Sequence, residues 1–246
     1  MNTIRKTTAW CSTDPGLIRS NNEDTCLIND KDGYYLVADG MGGAAAGEKA
    51  SALFRETVDR KLSKELIPAA RSIQELVRDC FHSANRKILS SAAEIPSDSG
   101  MGCTAELLVI HGSRFILGHV GDSRTYRMRD GRLQLLTTDH TIVQEQLTRN
   151  LISPQQAKKH PMRNLITRVV GSRKELKVDM VDGSILPGDL FLLCTDGLTD
   201  MVEETELPDT LSLNAPLEVR SSILIDQAKE GGGKDNITVA LIEIEC

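Results

Sequence analysis

Four aspartates in this chain of 246 residues stand where an apolar run meets a glycine or a turn. Asp39, Asp122 and Asp196 each close such a run, and Asp235 opens the last one. If these runs are neighbouring strands, the four carboxylates gather at one edge of the core, where their mutual repulsion must be neutralised. A divalent cation does this, and a ligand set made only of oxygen favours a hard ion such as Mg²⁺ or Mn²⁺.

A second polar group lies near the amino end, after the turn residues Asp14-Pro15-Gly16. It places Arg19 within five positions of the carboxylates Glu23 and Asp24. Arginine grips phosphate through two parallel hydrogen bonds, and a carboxylate beside a metal holds a reacting water. The other interpretation is a solvated surface loop.

Apolar runs bounded by turn residues predict the strands that must position these groups. The predicted strands are 25–29, 34–38, 105–110, 114–120, 125–129, 132–136, 176–182, 190–195 and 237–243. We expect the four strands between 105 and 136 to form an antiparallel meander. Apolar residues at steps of three and four predict a helix from Ile73 to position 92, and further helices are predicted at 45–61 and 217–229. The segment 141–161 is weakly helical, and the whole pattern indicates an α+β fold in which helices cover sheets.

Composition excludes several classes of protein. A net charge of −6, 40% hydrophobic residues and 26% charged residues are typical of one soluble domain spanning residues 1–246. With 3% aromatic residues and an acidic balance, we expect no nucleic acid partner. No apolar run approaches the roughly 20 residues that a membrane helix needs, and no signal peptide is recognisable, so we expect a cytoplasmic protein. A monomer is a separate expectation, since these observations do not bear on oligomeric state. The six cysteines show no Cys-x-x-Cys pair, which argues against a disulfide framework and a zinc-thiolate site.

Seven short motifs together resemble one known family. They are Arg-x-x-Asn-Glu-Asp at 19–24, Val-Ala-Asp-Gly-Met-Gly-Gly at 37–43, Gly-Cys-Thr-Ala at 102–105, Val-Gly-Asp-Ser-Arg at 120–124, Leu-Thr-Thr-Asp-His at 136–140, Cys-Thr-Asp-Gly-Leu-Thr-Asp at 194–200 and Asp-Asn-Ile-Thr-Val at 235–239. In this order and spacing the chain resembles the metal-dependent serine/threonine protein phosphatases of type 2C, in their bacterial branch. The resemblance implies a four-layer α-β-β-α sandwich, two antiparallel sheets flanked by helix pairs.

The resemblance also implies a ligand set for two Mn²⁺ or Mg²⁺ ions. Asp39, Asp196 and Asp235 would bind the first metal, and Asp39 with the Gly40 carbonyl would bind the second. Glu23 would reach the second metal through water.

Further roles follow from the same resemblance. Asp122 with Asp196 matches the position of a third, weaker metal in bacterial relatives. Asp24 would hydrogen-bond the nucleophilic water, and Arg19 would orient the phosphate.

The implied activity is hydrolysis of phosphoserine and phosphothreonine in proteins by direct attack of a water bridging two divalent metals. The implied partners are phosphorylated proteins and a serine/threonine kinase that the enzyme opposes. One departure concerns the general acid, because Met41 stands where many eukaryotic relatives have a histidine, and a thioether donates no proton. A metal-bound water at the third site is the expected replacement.

Three other interpretations compete with this one. Cys80 and Arg86 have the Cys-x5-Arg spacing of cysteine-dependent phosphatases, but Cys80 lies on the apolar face of a predicted helix. Gly42 and Gly47 resemble a P-loop in spacing, but Lys49 is one position late. A pseudophosphatase that serves as a scaffold would have lost ligands, and here the ligand set is complete.

The segment 141–174 matches a mobile flap beside the active site in the family. It has seven basic residues and one acidic residue, Glu145, a local balance of +6. A solvated charged face is the simpler interpretation. Our hypothesis is that this flap segment steers acidic or phosphorylated protein segments toward the metal site.

Overall fold

The computed structural model describes residues 6–42, 46–63 and 72–245. Gly43, Ala45 and Cys246, which the sequence analysis used, lie outside the described residues. The strands are β1 Thr7–Asp14, β2 Asp24–Asn29, β3 Tyr34–Met41, β4 Gly102–Cys103, β5 Ala105–His111, β6 Arg114–Val120, β7 Arg124–Arg129, β8 Arg132–Leu135, β9 Asp179–Ser184, β10 Leu190–Cys194 and β11 Ile237–Ile244. The helices are α1 Ala46–Leu62, α2 Ile73–Glu94, α3 Ile142–Thr148, α4 Pro154–Lys158, α5 Asp196–Thr199, α6 Leu207–Leu211 and α7 Leu217–Glu230.

The strands form two antiparallel sheets. One sheet has the order β1-β11-β10-β7-β8, and the other has the order β2-β3-β5-β6-β9 with the short β4 paired to β3. The turn between β2 and β3 needs a left-handed residue, which Gly33 supplies at φ 71°. From these strand orders, β1 and β8 are the edge strands of the first sheet, and β2 and β9 are the edge strands of the second.

Three apolar clusters lie between four layers. Tyr35, Leu117 and Phe191 belong to the cluster between the two sheets. Phe54 and Phe81, which contact edge to face at 5.0 Å, belong to the cluster under α1 and α2. A third cluster lies under α5, α6 and α7. The expected α-β-β-α sandwich is confirmed.

The expected meander between 105 and 136 is wrong. β5 pairs with β6 and β7 pairs with β8, but β6 takes β9 as its other neighbour and β7 takes β10. The chain changes sheet at Gly121-Asp122-Ser123, between β6 and β7. Because the new partners of β6 and β7 lie far along the chain, local periodicity could not show this change.

Other elements also differ from the sequence analysis. The strand predicted at 176–182 forms at Asp179–Ser184, since Leu176 and Val178 pack on the core beside α1 and α2 without entering the sheet. β1 was not predicted, because its polar, half-exposed sequence at a sheet edge lacks an apolar run. Among the described residues, no helix is both long enough and apolar enough to span a bilayer.

Candidate metal centre

The four strand-end aspartates meet at one edge of the sandwich. Asp39 lies near the end of β3, and Asp122 lies where the chain changes sheet. Asp196 is the first residue of α5, separated from β10 by Thr195, and Asp235 precedes β11. Burial raises the pKa of Asp39 well above its ordinary value, and the charges of Asp24, Asp196, Asp122 and Asp235 raise it further. The edge thus holds several carboxylates that act on one another electrostatically.

Burial is the largest cause of the raised pKa throughout this group. It raises the pKa of Asp24 to about 6 and that of Asp122 to about 7. It also raises the pKa of Asp196 well above its ordinary value, helped by the charges of Asp122 and Asp200. Because these carboxylates are buried and repel one another, ionising them costs free energy, and a bound cation would offset that cost.

Several buried carboxylate oxygens at this edge have no hydrogen-bond partner. These are one Oδ1 atom on each of Asp24, Asp122 and Asp196. Buried polar atoms are nearly always paired, so three orphaned oxygens with raised pKa values fit a divalent cation with oxygen ligands. Within the described residues, no three acidic, histidine or cysteine side chains already form a closed ligand set.

Arg19 forms an ion pair with one of the strand-end aspartates. Its Nη2 atom contacts Oδ2 of Asp235 at 2.6 Å, and the Asp235 carboxylate raises the pKa of the arginine. About half of the arginine side chain is exposed, so this ion pair is weak. The guanidinium thus supplies a positive charge to Asp235.

The loop that carries Arg19 and Glu23 is held by Asn236. Its Oδ1 accepts from the backbone N–H of Glu23 at 2.7 Å, and its Nδ2 donates to the carbonyls of Asn21 and Pro15 at 2.8 and 3.1 Å. Asn236 therefore fixes the loop beside Asp235. The sequence analysis gave Asn236 no role, although its position directly after Asp235 was a usable signal.

Asp24 has a different setting from Glu23. It is the first residue of β2, opposite Asp39 in the β2–β3 register, and is buried. Its Oδ2 accepts from the Thr195 hydroxyl at 2.8 Å, which leaves Oδ1 free of partners. One oxygen of Asp24 is thus positioned by the protein, and the other is available to a ligand.

Two glycines allow the backbone to pack closely here. A Cβ on Gly40 would collide with the carbonyl oxygen of Gly47, and a Cβ on Gly47 would collide with the Glu23 carboxylate. Small residues are therefore required for the end of β3, the first turn of α1 and Glu23 to meet. Packing therefore accounts for Gly47, one of the two glycines with P-loop-like spacing. Lys49, the other residue of that comparison, forms an ion pair with Asp98.

The flap segment contacts the edge that holds the carboxylates through Asp200, a residue that the sequence analysis missed. Asp200 follows α5, and its charge raises the pKa of both Asp196 and Asp122. Nδ2 of Asn164, from the flap segment, donates to Oδ2 of Asp200 at 3.2 Å. Asp200, a motif residue to which the sequence analysis gave no role, thus joins the carboxylate cluster to the flap segment.

A second contact also ties down the flap segment. Nζ of Lys158 lies 2.8 Å from Oε2 of Glu203, with both side chains mostly exposed. The +6 balance of the flap is therefore partly neutralised at one end. Cys80 lies buried within α2, as the sequence analysis expected, and lies in no phosphate-cradling loop.

Comparison with known proteins agrees with this geometry. Residues 19–226 match the family model described as "Protein phosphatase 2C". The chain is 36% identical over 235 residues to the serine/threonine phosphatase stp of Listeria welshimeri, covering 94% of this chain and 93% of the relative. It is 33% identical to the protein phosphatase PhpP of Streptococcus pneumoniae, covering 94% and 95%.

Solved structures give the same result. The Mycobacterium tuberculosis serine/threonine phosphatase PstP/Ppp superposes with a TM-score of 0.91 at 33% identity, covering 98% of this chain and 99% of the other. The catalytic domain of PstP in complex with two manganese ions superposes with a TM-score of 0.88 at 32% identity, covering 98% and 99%.

Proposed function

The chain belongs to the protein phosphatase 2C family and is a metal-dependent serine/threonine phosphatase, and from this premise we propose which of its residues perform the reaction. Asp39, Asp196, Asp235 and the Gly40 carbonyl hold two divalent cations, Mn²⁺ or Mg²⁺. Asp122 with Asp196 holds a third, weaker ion. The observation that carries this proposal is the buried cluster of mutually repelling carboxylates at one edge, in which Asp122 and Asp196 each have an orphaned oxygen.

Two divalent cations bound by these residues would lower the pKa of the attacking water and would neutralise negative charge on the phosphoryl group. The protein's own groups do the rest. Asp24, held through Oδ2 by Thr195, accepts a hydrogen bond from the attacking water on its free Oδ1. Glu23, on the loop that Asn236 fixes, orders water beside the site.

Arg19 orients the substrate. Its guanidinium lies at the exposed rim of the site and exchanges its contact with Asp235 for a bidentate contact with the phosphoryl group. Positioning of this kind contributes to the rate by fixing the phosphorus in line with the attacking water.

The substrates on this proposal are phosphorylated proteins, supplied by a serine/threonine kinase that the enzyme opposes. The mostly exposed, basic flap segment beside the site supports an anionic protein substrate. A cytoplasmic, monomeric enzyme is the remaining part of the proposal, checked by cell fractionation and by molecular mass in solution.

Release of phosphate from a phosphothreonine peptide tests the assignment of residues. We expect release with Mn²⁺, none with EDTA, and none from Asp39→Ala or Asp196→Ala with Mn²⁺. Arg114→Ala, whose partner Asp182 lies on the β6–β9 pair away from the carboxylates, is the matched control and keeps full activity. Activity of both aspartate variants close to the wild-type value would overturn the ligand assignment.

A further inference from the structure

Two cysteines lie together at the open side of the sandwich. Cys11 is on β1, the edge strand of one sheet, and Cys26 is on β2, the edge strand of the other. Both side chains pack against the apolar cluster between the sheets, and the two strands contact each other. The two thiols therefore face each other across the gap between the sheets, and their interaction lowers the pKa of Cys11 and raises the pKa of Cys26.

This thiol pair differs from the other described cysteines in exposure. Cys11 and Cys26 are both half-buried and free, whereas Cys80, Cys103 and Cys194 are buried. Burial raises the pKa of Cys103 and of Cys194, which keeps those thiols protonated and unreactive. A solvent-borne reagent can therefore reach the pair at the sheet edges and not the core thiols.

The surroundings of the pair favour one thiolate. The hydrogen bond from Cys26 and the positive charge of Arg55, on α1, lower the pKa of Cys11 against the effect of burial. The same contact raises the pKa of Cys26, which stays the proton donor. Cys11 is thus the nucleophile and Cys26 the resolving thiol next to it.

We propose that Cys11 and Cys26 form a peroxide-sensitive dithiol site that closes into a disulfide between the two sheets. The Cys11 thiolate attacks one oxygen of hydrogen peroxide, which gives Cys11 sulfenic acid and a hydroxide that leaves as water. The sulfur of Cys26 then attacks the sulfenic sulfur, the S–S bond forms, and a second water leaves. One peroxide is reduced and two thiols are oxidised, with no other reactant.

The consequence for the enzyme rests on the proposed function. The bond would close a covalent ring from Cys11 to Cys26, and this ring contains Arg19, Glu23 and Asp24. Because Arg19 has to move from Asp235 to the phosphate, a ring fixed at both ends restrains that exchange. We expect oxidation to lower kcat/KM for a phosphopeptide roughly tenfold, reversibly.

Peptide mapping after brief peroxide treatment tests the bond itself. The whole folded protein is treated with hydrogen peroxide, desalted, alkylated and digested, and linked peptides are identified by mass. We expect a Cys11–Cys26 cross-link and alkylated, hence reduced, Cys80, Cys103 and Cys194. A folded protein in which Cys11 is oxidised without a link to Cys26, or in which neither reacts, would overturn the proposal.

Two variants test separately the resolving role of Cys26 and the effect of the Arg55 charge on Cys11. Cys26→Ser should keep activity, resist inhibition by peroxide, and leave a Cys11 sulfenic acid that a 1,3-dicarbonyl reagent traps. Arg55→Gln should form the same cross-link more slowly. A cross-linked wild-type protein with unchanged kcat/KM would overturn the inhibitory role. The cross-link is measured by mass and needs no turnover, so failure of the dithiol proposal can be told apart from failure of the proposed active site.

Discussion

At the residue scale, the proposed role of Arg19 is an exchange of partners. In the structure it neutralises Asp235, and in the proposed reaction it binds the phosphoryl group. Replacing it by alanine should therefore lower kcat/KM for a phosphopeptide by roughly 100-fold, because positioning is lost. Affinity for Mn²⁺, measured by calorimetry, should be equal or higher, because the arginine no longer competes for Asp235. Weaker Mn²⁺ binding with unchanged kcat/KM would show that Arg19 serves the metal site and not the substrate.

Asp24 gives a prediction about pH. Its pKa in the folded protein is about 6, above the ordinary value of 3.8, chiefly because of burial. A raised pKa means that the stability associated with the protonated form is complete below about pH 4 and is lost as the pH rises through 6. Asp24→Asn removes this loss, so the metal-free variant should be more stable than the metal-free wild type at pH 8, by about 3 kcal/mol, and equal to it near pH 4.

Urea unfolding in EDTA at the two pH values measures that difference. The same variant should lose most phosphatase activity with Mn²⁺, because an amide is a poor acceptor for the attacking water. Thr195→Val is a useful control, since it removes the partner of Oδ2 and leaves the carboxylate in place. A difference in stability that does not change between pH 4 and pH 8 would contradict the assigned cause.

The sequence singled out the aspartates proposed as metal ligands because they stand at a change of local pattern. Asp39, Asp122, Asp196 and Asp235 each border an apolar run, which is why pattern and turn chemistry found them. Asp200 borders no such run and contributes through space, by its effect on Asp196 and its contact with Asn164. The roles of Asn236 and Thr195 depend on hydrogen bonds between segments far apart in the chain, which no local pattern contains.

At the element scale, we expect the flap segment to favour protein substrates over small phosphate esters. Reversing the charges of Lys158, Lys159 and Arg163 should lower kcat/KM for a phosphoprotein and spare a small aryl phosphate, because only a protein substrate reaches the flap. Lys158 also pairs with Glu203, so its reversal creates a repulsion as well. The double variant Lys158→Glu with Glu203→Lys restores that pair and serves as the control. Equal losses on both substrates would argue for a damaged site in place of lost steering.

The elements themselves were predictable where each is locally self-consistent. α2 has a stripe of apolar residues and a capping box from Ser72 to Glu75, and it begins where the sequence indicates. β1 has neither signal, because its order comes from pairing along its whole length with β11. The change of sheet between β6 and β7 was missed for a similar reason, since β9 and β10 decide it.

At the scale of the whole molecule, metal binding and folding should be coupled. The carboxylate cluster draws on both sheets, β3 and β6 from one and β10 and β11 from the other. Ions that bind only the folded state add about 2.7 kcal/mol at a concentration 100 times the dissociation constant. For a domain of this size, Tm should rise by roughly 5–10 °C when Mn²⁺ replaces EDTA.

Differential scanning calorimetry of wild type and Asp196→Ala measures this coupling. We expect Mn²⁺ to raise the Tm of the wild type and to have much less effect on the variant. The metal-free variant should be no less stable than the metal-free wild type, because it lacks one buried, repelled carboxylate. An equal Tm increase in both proteins would place the stabilising ions elsewhere.

The pairing of β1 with β11 joins segments from opposite ends of the sequence, Thr7 opposite Ile244 and Asp14 opposite Ile237. During synthesis, β11 leaves the ribosome after almost every other element has been made. Until it arrives, β1 has no neighbour in its sheet, and Asn236 cannot hold the loop that carries Glu23. The carboxylate edge is thus among the last parts of the molecule to be assembled, so we expect a nascent or truncated chain without β11 to lack the ordered site and to release no phosphate from a phosphopeptide.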